Sequence, residues 1–231
     1  MPTIYAVDSK DILAYTDLNN SAINSQPSNG AKLIAANTDK LFAVLDGKPH
    51  SSMHFYPIFL DGKLGQPTPI DTSDAPLPDV SLAICCCSNQ PNMIYVGGGA
   101  RNVEIVSYQV DPVDANLVNF NPASPKTKLV CKGSASPTDL TGISSFHMSS
   151  VADQSGNQYL YALSTATGSS GGKARIQSSI SSFNLPISGE INKIDESKMT
   201  CMLFSLTATS KFIYALGAPG TGDLLNPNDS G

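Results

Sequence analysis

Short apolar runs, some continuous and some alternating with polar residues, recur along the chain with turn residues between them. Val80 to Cys86 reads as one strand, Ser88 to Asn92 as a turn and Met93 to Val96 as a second strand. Gly97 to Asn102 then reads as a loop and Val103 to Val110 as a third strand. Runs of this length bounded by Gly, Pro, Asn and Asp predict strands, and several in succession without a helical period predict an antiparallel meander. The same grammar appears at Thr3–Val7 with Ile12–Leu18, and at Lys32–Ala36, Leu41–Leu45 and Met53–Leu60. It returns at Gly142–Val151, Tyr159–Leu163 and Ile180–Leu185, and at Thr200–Leu206 with Phe212–Leu216. The stretches 19–30, 66–79, 119–141 and 165–175 are rich in Gly, Pro, Ser and Asn, and predict loops.

Aligned on their second strands, these units bring Tyr5, Phe42, Tyr95, Tyr161 and Tyr214 into register. Repeats of several strands with variable loops are the mark of a β-propeller. The last unit supplies only two strands and the N-terminus only a hairpin. Joined, they make one more four-stranded blade, which closes the ring and hides its edges. The expected fold is therefore all-β, a single domain over 1–231. It is a small β-propeller of four antiparallel four-stranded blades, or five if 119–141 contains strands, with the ring closed by N- and C-terminal strands. An open ring that pairs with a second copy as a homodimer is the third arrangement. A β-sandwich also has many short strands but gives no reason for recurring units.

Composition narrows the function. The chain has 231 residues, 41% hydrophobic, which is enough for a core, while only 14% are charged. Net charge is −5 and the basic residues are scattered, so nothing forms the stripe that nucleic acid requires. No apolar run approaches the ~20 residues of a membrane span, and the first residues lack the pattern of a signal peptide. Of five cysteines, three are consecutive at Cys85, Cys86 and Cys87. They read as reduced core residues of a cytoplasmic protein, because adjacent strand positions point to opposite faces.

The candidate chemistry is sparse. In the strand Ser144–Ser149, alternation places Ser145, His147 and Ser149 on one face and Phe146 and Met148 on the other. With the apolar pair packed between blades, His147 would face the central channel among hydroxyls, as a general acid or base. The same pattern fits a hydrogen-bonded structural histidine. His50 and His54 lack a neighbouring carboxylate cluster, so no metal is expected. Thr167 to Lys173 lacks the order of a phosphate-cradling loop, and Cys85 or Cys87 would be a nucleophile only beside a base. Tyr95, Tyr161 and His54 join Ser145 and Ser149 as candidate substrate-binding residues.

Two units carry a further pattern: a polar turn, an aromatic strand, a Gly-rich loop, an outer strand of the form aromatic-x-Val/Leu, and a Gly-x-Leu/Ile turn. It stands as Ser88–Val96 with Tyr108-Gln-Val, and as Tyr159–Leu163 with Phe183-Asn-Leu and Gly189-Glu-Ile. In this the chain resembles the lactonase-type seven-bladed propellers, which include bacterial 6-phosphogluconolactonase and fungal carboxymuconate cyclase. The blade number departs from that family, and no local motif transfers catalytic residues. The resemblance implies a cofactor-independent lactonase or cyclase acting on a small oxygenated metabolite. The family's acidic substrates suit Arg101 and Arg175, which occupy equivalent loops and could hold a carboxylate or phenolate bidentately. A carbohydrate-binding propeller, disfavoured by the absence of Trp, and a protein-interaction scaffold are the alternatives.

Overall fold

The computed structural model describes residues 3–16, 21–46, 51–87, 89–100, 102–112, 127–170 and 173–218, with residues 112, 168–170 and 173–175 described by their backbone alone. These residues form five antiparallel sheets in chain order. Sheet 1 holds β1 (Ile4–Val7), β2 (Asp11–Tyr15) and β3 (Asn24–Pro27). Sheet 2 holds β4 (Ala31–Ala36), β5 (Lys40–Leu45), β6 (Ser52–Pro57) and β7 (Thr68–Ile70). Sheet 3 holds β8 (Ser81–Cys87), β9 (Gln90–Gly98), β10 (Glu104–Pro112) and β11 (Thr127–Ala135). Sheet 4 holds β12 (Ile143–Ala152), β13 (Gln158–Ser170), β14 (Lys173–Leu185) and β15 (Asn192–Met199). Sheet 5 pairs β16 (Met202–Ala208) with β17 (Ile213–Ala218). Within each four-stranded sheet the strands lie side by side in sequence order, and β4, β8, β12 and β16 are neighbours across sheets. This is the blade arrangement of a propeller. Among the described residues there is no helix, so none is long and apolar enough to cross a membrane.

Side chains alternate across each strand, so every sheet has a forward face toward the next sheet and a backward face toward the previous one. In β5, Phe42 and Val44 point forward into the core shared with sheet 3, while Leu41, Ala43 and Leu45 point back at sheet 1. In β9, Met93 and Tyr95 point forward, and Ile94 and Val96 back. In β13, Tyr161 and Leu163 point forward, and Leu160 and Ala162 back. The aromatic positions aligned from the sequence are thus one structural position, the forward-pointing ring of the sheet. A second series points backward from the neighbouring strand: Tyr56 opposite Leu41, Tyr108 opposite Ile94, and Phe183 opposite Leu160. All three are at most 1% exposed. Each junction from sheet 1 to sheet 4 therefore joins one forward ring to one backward ring in a common core: Tyr5 with Tyr56, Phe42 with Tyr108, and Tyr95 with Phe183.

The turns repeat as well. Gly62 and Gly189 both hold positive φ, +82° and +89°, which favours glycine in these tight turns. Both present a carbonyl to the preceding sheet: Tyr5 Oη donates to Gly62 O at 3.0 Å, and Ser107 Oγ donates to Gly189 O at 2.5 Å. In sheet 1, Tyr15 stands opposite Ile4 as Tyr56 stands opposite Leu41. By this register β1, β2 and β3 correspond to the second, third and fourth strands of the complete sheets.

The structure corrects several sequence expectations. Segments expected as loops form β3, β7 and β11, and 165–175 lies largely in the long arms of the β13–β14 hairpin. The strand β3 lacks apolar alternation because polar side chains seat it: Gln26 Nε2 donates to Leu64 O at 3.1 Å, and Asn24 Oδ1 accepts from Leu64 N at 2.8 Å. Gly97 and Gly98 lie inside β9 rather than in a loop. The closing blade is not formed among the described residues. Its physical reason is β3, which makes sheet 1 a three-stranded unit of its own, while β16 pairs with β17 against the forward face of sheet 4.

Candidate functional site

The face of β12 that carries Ser145, His147 and Ser149 continues across sheet 4. Those three residues lie opposite Thr165, Leu163 and Tyr161 of β13, which in turn lie opposite Ser178, Ile180 and Ser182 of β14. Phe146 and Met148 pack into the core shared with sheet 3, as alternation requires. The hydroxyl-bearing face does not look into an open channel, because a strand's side chains project from the sheet's faces and not from its edge. It looks onto sheet 5. Ser149 Oγ accepts from Ala208 N at 3.1 Å, and Thr165 Oγ1 donates to Leu203 O at 2.8 Å. Ser178 Oγ donates to Cys201 O at 2.7 Å and accepts from Leu203 N at 3.1 Å. These contacts seat β16 over the face, with Leu163, Leu203 and Leu206 forming the apolar part of the junction.

His147 lies half-buried on this face, and among the described residues its imidazole has no hydrogen-bond partner. Tyr161 is also half-buried beside it, two positions along in the register. Four of the expected site residues, Ser145, His147, Ser149 and Tyr161, therefore share one surface. A partly accessible imidazole flanked by hydroxyls is competent to move a proton between a substrate and water.

The remaining expectations fare differently. Tyr95 is fully buried in the core between sheets 3 and 4, so it is withdrawn as a substrate contact. Its hydroxyl donates to Gln90 Oε1 at 3.0 Å, and Gln90 Nε2 donates to Leu185 O at 3.1 Å. Burial pushes the Tyr95 hydroxyl well above the usual phenol range. His54 lies in β6 of sheet 2, with sheet 3 between it and sheet 4, so it does not join His147. Arg101 lies outside the described residues, as does His50. Arg175 sits on β14 opposite Gly168 and not in a loop, and its side chain is outside what is described. Cys85 and Cys87 are buried in the core between sheets 3 and 4. Burial pushes the Cys85 thiol well up and Cys87 to about 11, which removes both as nucleophiles at neutral pH. Among the described residues no group of three or more His, Cys, Asp or Glu side chains could hold a metal ion.

His54 carries a testable consequence of its own. Among the described residues its Nδ1 is buried without a partner, and burial lowers its affinity for a proton. The unfolded chain therefore binds that proton more readily than the folded one. Stability is fully present above the ordinary histidine value of about 6.5 and falls as pH drops below it toward the lower folded value. Urea midpoints at pH 7.5 and pH 5.5 measure this. The midpoint is expected to fall at the lower pH in the wild type and to fall less in His54→Leu; an equal drop in both would contradict the assignment.

Sequence reasoning missed the hydroxyls Thr165 and Ser178, whose signal was their place on the same alternating face as His147. It also missed Glu196. Burial raises its affinity for a proton, but donors from Lys193, Ser179 and Thr138 outweigh that and hold its carboxyl at about 2. Thr138 Oγ1 at 2.8 Å and Ser179 Oγ at 2.7 Å share Oε1, so this carboxylate fastens the 136–142 connection to sheet 4. Two open depressions lie elsewhere. One of about 720 Å³ between sheets 1 and 2 is lined by Tyr5, Asn37, Asp39, Phe59 and Leu60, and one of about 380 Å³ by Asp139, Thr167, Gln177 and Lys198. Neither includes any of the candidate catalytic or substrate-binding residues.

No family model matches the chain, and no curated protein matches it in sequence. Among solved structures the chain is similar to the aldose sugar dehydrogenase of Streptomyces coelicolor in its PQQ-bound form. The identity is 11% and the TM-score 0.45, over 93% of this chain and 70% of that one.

Proposed function

We propose that the chain acts on a small oxygenated metabolite at the junction of sheets 4 and 5, with His147 as the general acid and base of a lactonase-type reaction. The observation that carries this reading is a half-buried imidazole, without a hydrogen-bond partner among the described residues, on a face of hydroxyls. In ring opening, His147 takes a proton from an attacking water as the new C–O bond forms at the lactone carbonyl. The ring C–O bond then breaks, and the departing alkoxide takes that proton back from the imidazolium, leaving a hydroxy acid. Lactonisation is the same sequence reversed. Ser149 accepts from the Ala208 amide, which leaves its own hydroxyl proton available to a developing oxyanion. Half-buried Tyr161 supplies apolar wall on the same face.

The test is turnover of a panel of γ- and δ-lactones and their hydroxy acids by wild type and His147→Gln. Glutamine keeps a polar side chain of similar reach but cannot cycle a proton, so turnover is expected to fall by about 10²- to 10⁴-fold. Wild-type inactivity across the panel, or undiminished turnover by the variant, would sink this reading.

A further inference from the structure

Sheet 1 is joined to sheet 2 by a tight turn, in which the chain passes from β3 through Ser28, Asn29 and Gly30 to Ala31 at the start of β4. Ala31 N donates to Ser28 O at 2.9 Å, and φ is +52° at Asn29 and +85° at Gly30. A hydrogen bond from the fourth residue to the first, with positive φ at both central residues, defines a type I′ turn. Asparagine followed by glycine suits it, because both tolerate the left-handed region. This is the one Asn-Gly step in the chain. The turn's own bond uses the Ala31 amide, and among the described residues the Gly30 amide has no hydrogen-bond partner. Asn29 and Gly30 are both exposed, and nothing lies within 4 Å of the place a Gly30 Cβ would occupy. The Asn29 carboxamide hydrogen-bonds the Tyr56 hydroxyl, which itself donates to Pro27 O at 2.7 Å. Tyr56 is fully buried in the core shared by sheets 1 and 2.

We propose that Asn29 is a site of spontaneous covalent modification, its side-chain amide converted through a cyclic imide to aspartate and isoaspartate. The Gly30 nitrogen, its proton lost to solvent base, attacks Cγ of Asn29 and forms a new C–N bond. The Cγ–Nδ2 bond then breaks, and that nitrogen leaves as ammonia with a proton taken from water. Water next opens the five-membered imide at either of its carbonyls. The net change consumes a water and releases an ammonia, with no oxidant or reductant. The step needs a nucleophilic amide free of a hydrogen bond, a successor without a Cβ, and room for the amide to swing onto the carboxamide carbon. The turn supplies all three. Asn37 and Asn157 lack them, since Thr38 and Gln158 follow and both carboxamides are fixed. Asn37 Oδ1 accepts from Asp39 N at 3.1 Å and Lys40 N at 2.9 Å, and Asn157 Nδ2 donates to Asp153 Oδ2 at 2.9 Å. The consequence falls on the joint between sheets 1 and 2. Opening at the main-chain carbonyl gives isoaspartate, whose main chain is longer by a methylene, so Ala31 loses its register with Ser28. Either product also replaces the amide donor to Tyr56 with a carboxylate.

Peptide mapping by mass spectrometry, after the folded chain is incubated in mildly alkaline buffer, reads the modification directly. Asn29 is expected to convert at least about tenfold faster than Asn37 or Asn157, because its successor alone among the three lacks a Cβ. Isoaspartate is expected to be the larger product. Asn29→Gln keeps the amide on a longer side chain and is expected to stay unmodified at this position. The converted chain is expected to unfold at lower urea than the fresh one. Asn29→Asp carries the new charge at normal main-chain length, so its midpoint is expected to fall less than that of the isoaspartate form. A folded chain in which Asn29 outlasts Asn37 and Asn157 overturns the proposal. So does conversion confined to the urea-unfolded chain, which would mean that the turn shields Asn29. Equal midpoints for the converted and fresh chains would overturn the consequence drawn for the joint.

Discussion

Replacing Phe183 by alanine is expected to lower the stability of the chain by about 3–5 kcal/mol. The ring is 0% exposed and sits in β14 opposite Leu160, in the core shared by sheets 3 and 4 with Tyr95, Ile105 and Phe146. Truncation removes the burial of a large ring and leaves a void that two hydrogen-bonded sheets cannot collapse to fill. Since globular domains hold only about 5–15 kcal/mol in total, this one change should leave the fold marginal. Tyr15 holds the equivalent position in sheet 1, where no sheet lies behind it among the described residues, so Tyr15→Ala is expected to cost well under half as much. Chemical denaturation of the two variants checks the comparison. Equal losses would mean that the backward aromatic series is not the repeating contact described.

The second large effect comes from adding an atom. A Cβ on Gly97 would lie 2.1 Å from Cε1 of Phe146 and about as close as 3.0 Å to Cδ1, well inside van der Waals contact. Phe146 is 5% exposed in the core and is the immediate neighbour of His147 in β12. Overpacking of this kind typically costs about 1–3 kcal/mol. Here it also pushes on the strand that presents the imidazole. Gly97→Ala is therefore expected to lower both the melting temperature and turnover. Phe146→Leu in the same chain should recover part of both, because it withdraws the atoms in conflict. A neutral Gly97→Ala, or a double variant that is worse than the sum of the singles, would contradict the close packing of β9 on β12.

How far the sequence could be read depended on which physical signal each element used. Strands that are continuous apolar runs buried on both faces, such as Leu41–Leu45 and Met93–Val96, were legible because their burial pattern is their sequence pattern. The forward series from Tyr5 to Tyr214 was legible for the same reason. Strands held by polar side chains were not: β3 is fastened through Gln26 and Asn24, and the part of β14 before Ile180 carries Ser178 and Ser179, both buried and both bonded to partners distant in sequence. A buried hydroxyl with a partner looks the same in the sequence as an exposed one in a loop. Glycine misled in the same way, since Gly97 lies in a strand that lets Phe146 approach.

At the site, alternation along one strand correctly placed Ser145, His147 and Ser149 together and Phe146 and Met148 apart from them. What lies across from that face depends on how sheets stack, which strand periodicity does not encode. Thus the channel expected above His147 is a junction with sheet 5. Tyr95, which shares its register with Tyr161, is sealed because sheet 4 covers it, whereas sheet 5 covers Tyr161 only in part.

Histidine magnetic resonance tests the central functional claim most directly, because the chain has only 3 histidines, each assignable by a single glutamine substitution. With a lactone or hydroxy acid from the turnover panel added in excess, the ring signals of His147 are expected to shift while those of His54 stay in place. A ligand that is turned over while the His147 signals do not move would place the chemistry elsewhere and contradict the account.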